Sequence, residues 1–210
     1  MAEARRLYAW ATPNSQRVSI LLEELGLSYE VRPVNIRARE QFAPEVVTLS
    51  PYGKIPILVE PSAPPLFESG AILLHLAEAH GRFLPAPGDP ARAETLAWLM
   101  VALTSLGPFT GQAHHWTALA PEKPEAARRH IVGLAERVYR LLEGRLATMR
   151  YLAGDAYSIA DIAAFPWVAK RHWAEITLED RPHLARWFAE VGARPAVLRG
   201  LAVPAGVTLD

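Results

Sequence analysis

An α/β half followed by an all-helical half is the fold class this sequence predicts. Two observations carry that reading. Roughly the first eighty residues alternate strand and helix signals, whereas the remainder keeps helical spacing almost throughout. Between them, residues 82–90 hold Pro85, Pro87, Gly88 and Pro90, the composition of a linker. The expected organisation is therefore a first domain over 1–81, a linker over 82–90 and a helical domain over 91–210.

Each element has a local reason. Arg6-Leu7-Tyr8-Ala9-Trp10 is a short strand stopped by Thr12-Pro13-Asn14-Ser15. Val18, Leu21, Leu22 and Leu25 then fall at helical spacing, and Gly26 supplies the stop. Tyr29 to Val34 returns as a second strand, with Pro33 marking an edge or a strand end. Residues 35–50 are polar and read as irregular. Ile57-Leu58-Val59 and Leu66-Phe67 are short strands around a proline-rich turn. Ser69 opens a helix through Ile72, Leu73, Leu76 and Ala79, with Gly81 just past its end. The order β-α-β, loop, β-β-α is the thioredoxin-like arrangement.

In the second half, helical stretches are expected near 91–106, 124–148, 158–173 and 182–191, with a shorter one near 195–201. Gly107-Pro108 is expected to break or kink the first of these. Ser158-Ile-Ala-Asp161 has the pattern of a capping box, flanked by Tyr157 and Ile162 at staple positions, and its role is to start a helix.

Composition excludes several function classes. The chain has 210 residues, half of them hydrophobic, the balance of a soluble globule rather than a disordered or fibrous chain. Lys plus Arg equals Asp plus Glu at 22 each, so no net charge draws it to nucleic acid or an anionic membrane. Cysteine is absent, which removes disulfides, thiolate metal sites and any thiol chemistry carried by the protein itself. The opening residues, MAEARRLYAW, lack a signal peptide's apolar core, and no apolar run is long enough to span a bilayer. A cytoplasmic location is the expectation.

Several segments, quoted as they stand, resemble the glutathione transferase superfamily across nearly the whole chain: Ala11-Thr-Pro-Asn-Ser-Gln-Arg-Val18, Leu22-Glu-Glu-Leu-Gly-Leu27, Ser50-Pro-Tyr-Gly-Lys-Ile-Pro56, Phe67-Glu-Ser-Gly-Ala-Ile-Leu73 and Tyr157-Ser-Ile-Ala-Asp-Ile162. The resemblance implies a thioredoxin-like glutathione-binding domain followed by an all-helical glutathione-transferase domain, and a homodimer. Thr12-Pro-Asn14, Leu106-Gly-Pro-Phe-Thr-Gly-Gln112 followed by His114-His115-Trp116, and Pro166-Trp167 resemble the Nu class, a bacterial disulfide-bond oxidoreductase group. The sequence departs from that group at Ser15, where glycine is usual, and at His130-Ile131, where Arg-Tyr is usual.

Glutathione, the implied co-substrate, needs distinct partners for its parts. Glu68 suits the γ-glutamyl ammonium, and Ser69, at a helix start, suits the carboxylate. Ile55-Pro56 resembles the segment whose cis peptide presents the Ile55 backbone to the cysteinyl unit. Lys54 and Gln41 are candidates for the glycine end. The thiol must be held as thiolate to react, and the resemblance gives that task to Thr12 and Asn14, aided by the positive end of the first helix. Asn14 is equally suited to be that helix's cap. Tyr8 competes for the thiol but sits inside its strand, and Ser15 is a further donor in reserve. His130 is expected at a ligand-touching position, with Arg128 or Arg129 as substitutes.

Bland readings cover the rest. Adjacent helical histidines do not share a ligand direction, so His114-His115 suggests a pocket lining or a surface pair rather than a metal site, and no metal is expected. Trp98, Trp116, Trp167 and Trp173 read as core or pocket wall, and Glu23-Glu24 as solvated. Three functions follow in order: reduction of a small disulfide by glutathione, conjugation of glutathione to an electrophile, and non-catalytic glutathione binding.

Overall fold

A computed structural model describes residues 4–209. Met1–Glu3, part of the segment read above as lacking a leader's apolar core, and Asp210 lie outside the described residues. The chain forms two compact units, one of residues 1–82 with 194–210 and the other of residues 83–193.

In the first unit β1 (Arg6–Ala9) runs parallel to β2 (Glu30–Pro33) and antiparallel to β3 (Ile57–Val59), and β4 (Leu66–Phe67) completes the sheet in the order β2-β1-β3-β4. The predicted β-α-β, β-β-α order is present. Pro33 ends an edge strand, where its missing N–H costs no ladder bond. Helix α1 (Pro13–Leu25) follows β1 and stops at Gly26, whose φ of 70° lets its N–H return to the carbonyls of Leu22 and Glu23. Residues 35–50, expected to be irregular, contain a 3-10 turn (Glu40–Phe42) and the short helix α2 (Pro44–Leu49), started by Pro44 at its first position. Helix α3 (Ser69–His80) follows β4.

Strand alternation sorts the two faces of the sheet. Leu7 and Ala9 are fully buried, as are Val18, Leu21, Leu22, Ile72, Leu73 and Leu76 of α1 and α3. On the other face Val34, Val46 and Ile57 cluster, with Tyr8, Ala43, Leu49 and Ile55 packed against them.

The last helix of the chain, α9, is Pro195–Leu201 and belongs to the first unit. Its backbone lies directly on α1: Ser19 Oγ donates to the Gly200 carbonyl at 2.7 Å, and Gln16 Nε2 to the Leu201 carbonyl at 3.2 Å. Glu23 and Glu24, expected to be solvated, instead hold this segment. Glu24 is paired twice with Arg194, at 2.6 and 2.9 Å, and Glu23 with Arg199 at 2.7 Å.

The second unit is helical: α4 (Pro90–Val101), α5 (Gly107–His114), α6 (Glu125–Leu146), α7 (Ile159–Ala169) and α8 (Pro182–Gly192). Gly107-Pro108 does not break the first helix. A π-helical turn at Ala102–Leu106 precedes it and another at His115–Leu119 follows α5, so the helical path widens around the proline ring and continues. The capping box forms as expected. The buried Asp161 carboxylate accepts from the Ser158 amide (3.0 Å) and hydroxyl (3.1 Å), the Leu152 amide (3.0 Å) and Trp187 Nε1 (2.8 Å). Burial raises its pKa while these donors pull it back.

Two substitutions test this packing. A Cβ at Gly200 would stand 2.6 Å from the Ile20 backbone, so Gly200→Ala should lower folding stability by roughly 1–3 kcal/mol in urea titration. Asp161→Ala leaves four donors without their acceptor and should cost more than ~3 kcal/mol by the same measurement, since bonds to a charged group are worth about 1.5–3 kcal/mol each.

Candidate functional site

Strand register determines where the site lies. Tyr8 stands opposite Ile57, and Ile57 opposite Phe67, so Ile55-Pro56 adjoins the end of β1 on one side and the end of β4 on the other. β1 and β4 point the same way, so α1 and α3 both begin at this end of the sheet. Helix N-termini carry unsatisfied N–H groups and partial positive charge. One sheet end therefore gathers Thr12 and Asn14 at the start of α1, Ile55 and Pro56 before β3, and Glu68 and Ser69 at the start of α3.

The turn into α1 is tightly bonded. The Thr12 amide donates to the Trp10 carbonyl at 2.6 Å. Thr12, not Asn14, is the cap: its Oγ1 accepts from the Ser15 amide at 3.3 Å, and Pro13 takes the first helical position. The Thr12 hydroxyl donates to Ser15 Oγ at 3.1 Å, which also accepts from the Trp10 amide at 3.4 Å. Ser15 is buried, and its hydroxyl thus works within the turn. Asn14 is left to a different task. Its Oδ1 accepts from Arg17 Nη1 at 2.9 Å, and the same nitrogen donates to Ser69 Oγ at 3.3 Å.

Arg17 did not figure among the residues expected from sequence. It is only 3% exposed. Burial pulls its guanidinium down to about 9, still charged at neutral pH, and the negative charge of Glu68 opposes that fall. The available signal was its place three residues after Asn14, on the same helix face.

The Ile55-Pro56 peptide is cis. Ser69 is buried at the first position of α3, while Glu68 is exposed and holds φ at 71°. A non-glycine residue in that region is uncommon and marks a backbone held by its surroundings. Gln41 carries a buried amide oxygen to which none of the described residues donates. The Lys54 ammonium lies over the exposed Tyr52 ring, 5.3 Å from its centre. Tyr8, the competing hydroxyl, packs on the Val34, Val46 and Ile57 cluster.

His130 lies on α6 in the second unit and is exposed. Of its possible substitutes, Arg128 is engaged by Glu125 at 2.8 Å and Glu175 at 2.5 Å, and Arg129 lies 3.5 Å from Glu125. His114 stacks on Trp173, their ring centres 4.2 Å apart, and Lys170 Nζ sits 5.2 Å from the same indole. Trp167 and Trp173 are buried, and Trp98 and Trp116 half-buried. Among the described residues no three His, Asp or Glu side chains are grouped to hold a metal ion, and no helix is long and apolar enough to cross a membrane.

Comparison with known proteins agrees with this geometry. Residues 11–79 match the model of the glutathione S-transferase N-terminal domain, and residues 97–195 that of its C-terminal domain. The disulfide-bond oxidoreductase YfcG of Escherichia coli is 40% identical over 202 residues, covering 93% of each chain. A glutathione transferase from Burkholderia graminis, crystallised with two glutathione molecules per subunit, superimposes with a TM-score of 0.89 at 38% identity, over 97% of this chain and 90% of that one. Another from Pseudomonas putida, with one glutathione disulfide per subunit, gives a TM-score of 0.88 at 36% identity, over 96% and 92%.

The cap assignment is directly testable. Thr12→Ala should reduce folding stability by about 1 kcal/mol, read from denaturant midpoints, and Thr12→Ser should restore most of it. Asn14→Ala should not show that cap loss.

Proposed function

The chain belongs to the glutathione S-transferase family, and on that premise we propose that it is a glutathione-dependent disulfide-bond oxidoreductase. The observation that carries the reading is the convergence, at one sheet end, of two helix N-termini, the cis Ile55-Pro56 segment and the Glu68-Ser69 pair. Each matches one part of a zwitterionic thiol tripeptide. Glu68 meets the γ-glutamyl ammonium, and the Ser69 hydroxyl and amide meet its carboxylate. The Ile55 backbone pairs with the cysteinyl unit as an added strand does. Gln41, with its buried amide oxygen, and Lys54 serve the glycine end. His130 is carried as a further ligand contact on the family resemblance alone.

The sulfur lies at the start of α1, where Thr12 and Asn14 stabilise it as thiolate. In the turn into α1 the Thr12 hydroxyl proton is directed to Ser15. Bonding to sulfur requires that hydroxyl to rotate, and Ser15 then has its own proton to donate back to Thr12 Oγ1. Chained hydrogen bonds of this kind strengthen one another.

The reaction needs no protein thiol, and this sequence has no cysteine. A glutathione thiolate attacks one sulfur of a small disulfide. The S–S bond breaks, a mixed disulfide forms, and the departing thiolate takes a proton. A second glutathione thiolate attacks the glutathione sulfur of the mixed disulfide, releasing glutathione disulfide and the second substrate thiol. Two glutathiones are oxidised for each disulfide reduced. The known binding of two glutathiones, or of glutathione disulfide, by the solved relatives supports this stoichiometry. A homodimer completes the reading, on the same resemblance, and the cytoplasm is its proposed location.

Retention on glutathione resin, followed by turnover of hydroxyethyl disulfide and of a chlorinated nitrobenzene, decides among the functions. Disulfide turnover without aryl conjugation is the expected result. Conjugation alone would establish a transferase, and retention without either turnover a binding protein. Thr12→Ala should lower disulfide turnover at least ~10-fold, the low end for losing a hydrogen bond to a charged group, whereas Tyr8→Phe should change it little. Equal losses would overturn the assignment of Thr12.

A further inference from the structure

Arg17 is a buried charge on α1. It follows Asn14 by three residues and precedes Val18, Ile20 and Leu21, all fully buried. An apolar side chain of similar length would fill this place without the cost of removing a cation from water. Among the partners of the guanidinium are polar side chains from two helix starts. Its Nη1 lies 2.9 Å from Asn14 Oδ1 and 3.3 Å from Ser69 Oγ.

The polarity of those contacts matters more than their number. A guanidinium can only donate, whereas a carboxamide accepts at one end and donates at the other. Arg17 must therefore engage the oxygen of Asn14, which determines where the Nδ2 donor points. A hydroxyl that accepts from Arg17 likewise keeps its own proton to donate, the polarity a carboxylate requires. The two side chains that Arg17 holds are the ones assigned above to the sulfur and to the γ-glutamyl carboxylate.

We propose that Arg17 is a positioning residue for thiol activation, presenting the Asn14 Nδ2 donor to the glutathione sulfur and coupling it, through Ser69, to the γ-glutamyl subsite. The proposal rests on the reading of Thr12 and Asn14 given above. Ligand binding at Ser69 and thiolate formation at Asn14 then share one guanidinium nitrogen, so a well-seated γ-glutamyl group steadies the donor set around the sulfur. The buried positive charge adds to the field of the α1 N-terminus and favours thiolate over thiol.

The test is a double-mutant cycle on the full chain: Arg17→Met, Asn14→Ala, both together, and Arg17→Lys. Two readouts are followed, the pKa of enzyme-bound glutathione from its ultraviolet thiolate absorbance, and, across pH, kcat for hydroxyethyl disulfide reduction with KM for glutathione. Arg17→Met should raise the bound-thiol pKa by about one unit, a tenfold loss of thiolate preference. The acid limb of the kcat profile should move upward with it, while KM for glutathione rises less than kcat falls. Arg17→Lys keeps the charge but not the planar, fixed donor geometry, and should lie between Arg17→Met and the parent.

In the Asn14→Ala background, Arg17→Met should shift the thiol pKa by well under half as much, because the donor it orients is gone. A bound-thiol pKa unchanged in Arg17→Met, or shifted equally with and without Asn14, overturns the proposal. If Arg17→Met does not fold, Arg17→Lys decides: a pKa and acid limb identical to the parent overturn the proposal, and a partial upward shift supports it. Asn14→Ala separates the two levels. No effect there removes the underlying thiol assignment and this proposal with it, whereas an effect of Asn14→Ala without one of Arg17→Met removes this proposal alone.

Discussion

The antiparallel pairing of β1 with β3, with Tyr8 opposite Ile57, is the constraint on which the site depends. A slip of one residue would turn Leu7 and Ala9 out of the core and bring Tyr8 in, so burial of those two side chains holds the register. Once the register is held, Ile55-Pro56 must stand beside the end of β1. Because β4 pairs with β3 in turn, α3 must begin next to it. The convergence of two helix N-termini follows from strand order, and the side chains at those termini give it chemical specificity.

Two buried charges illustrate different uses of the same physics. Asp161 in the second unit is surrounded by donors from its own chain, two from Ser158, one from Leu152 and one from Trp187. Such a group anchors a helix start and a neighbouring indole. Arg17 in the first unit bonds polar side chains at the starts of α1 and α3, the place proposed for a ligand. A satisfied network rigidifies in both cases, but only the second lies where a ligand's charges are expected.

Much of this was legible along the chain. Gly26 and Gly81 stop α1 and α3 as read, since both take the left-handed conformation that glycine tolerates. Ser158 and Asp161 lie three residues apart and bond across one helical turn, so their box is a local fact. Helix α2 was missed because six residues with two valines and a threonine carry little helical signal. Gly107-Pro108 reads as a break or a kink because the cost of an interior proline is local, whereas its relief by widened turns is not. At the start of α1, Asn14 reads as a cap, and the cap is Thr12. The choice turned on Pro13, which occupies the first helical position and leaves the cap to the residue before it.

By itself the sequence determined the order of elements, the helix boundaries marked by glycine and proline, the lack of any thiol, and through its motifs the family and the residues to examine. These are properties of neighbours along the chain, where spacing and conformational preference act directly. Tertiary structure alone decided that Glu23 and Glu24 clamp the last helix, that Gly200 must lack a side chain where it meets Ile20, and that Arg17 joins Asn14 to Ser69. In each of these the partners are separated by scores of residues, or the contact depends on which way a buried side chain turns. Only packing settles that, because burial is what makes an unpartnered charge or a misplaced methyl group costly.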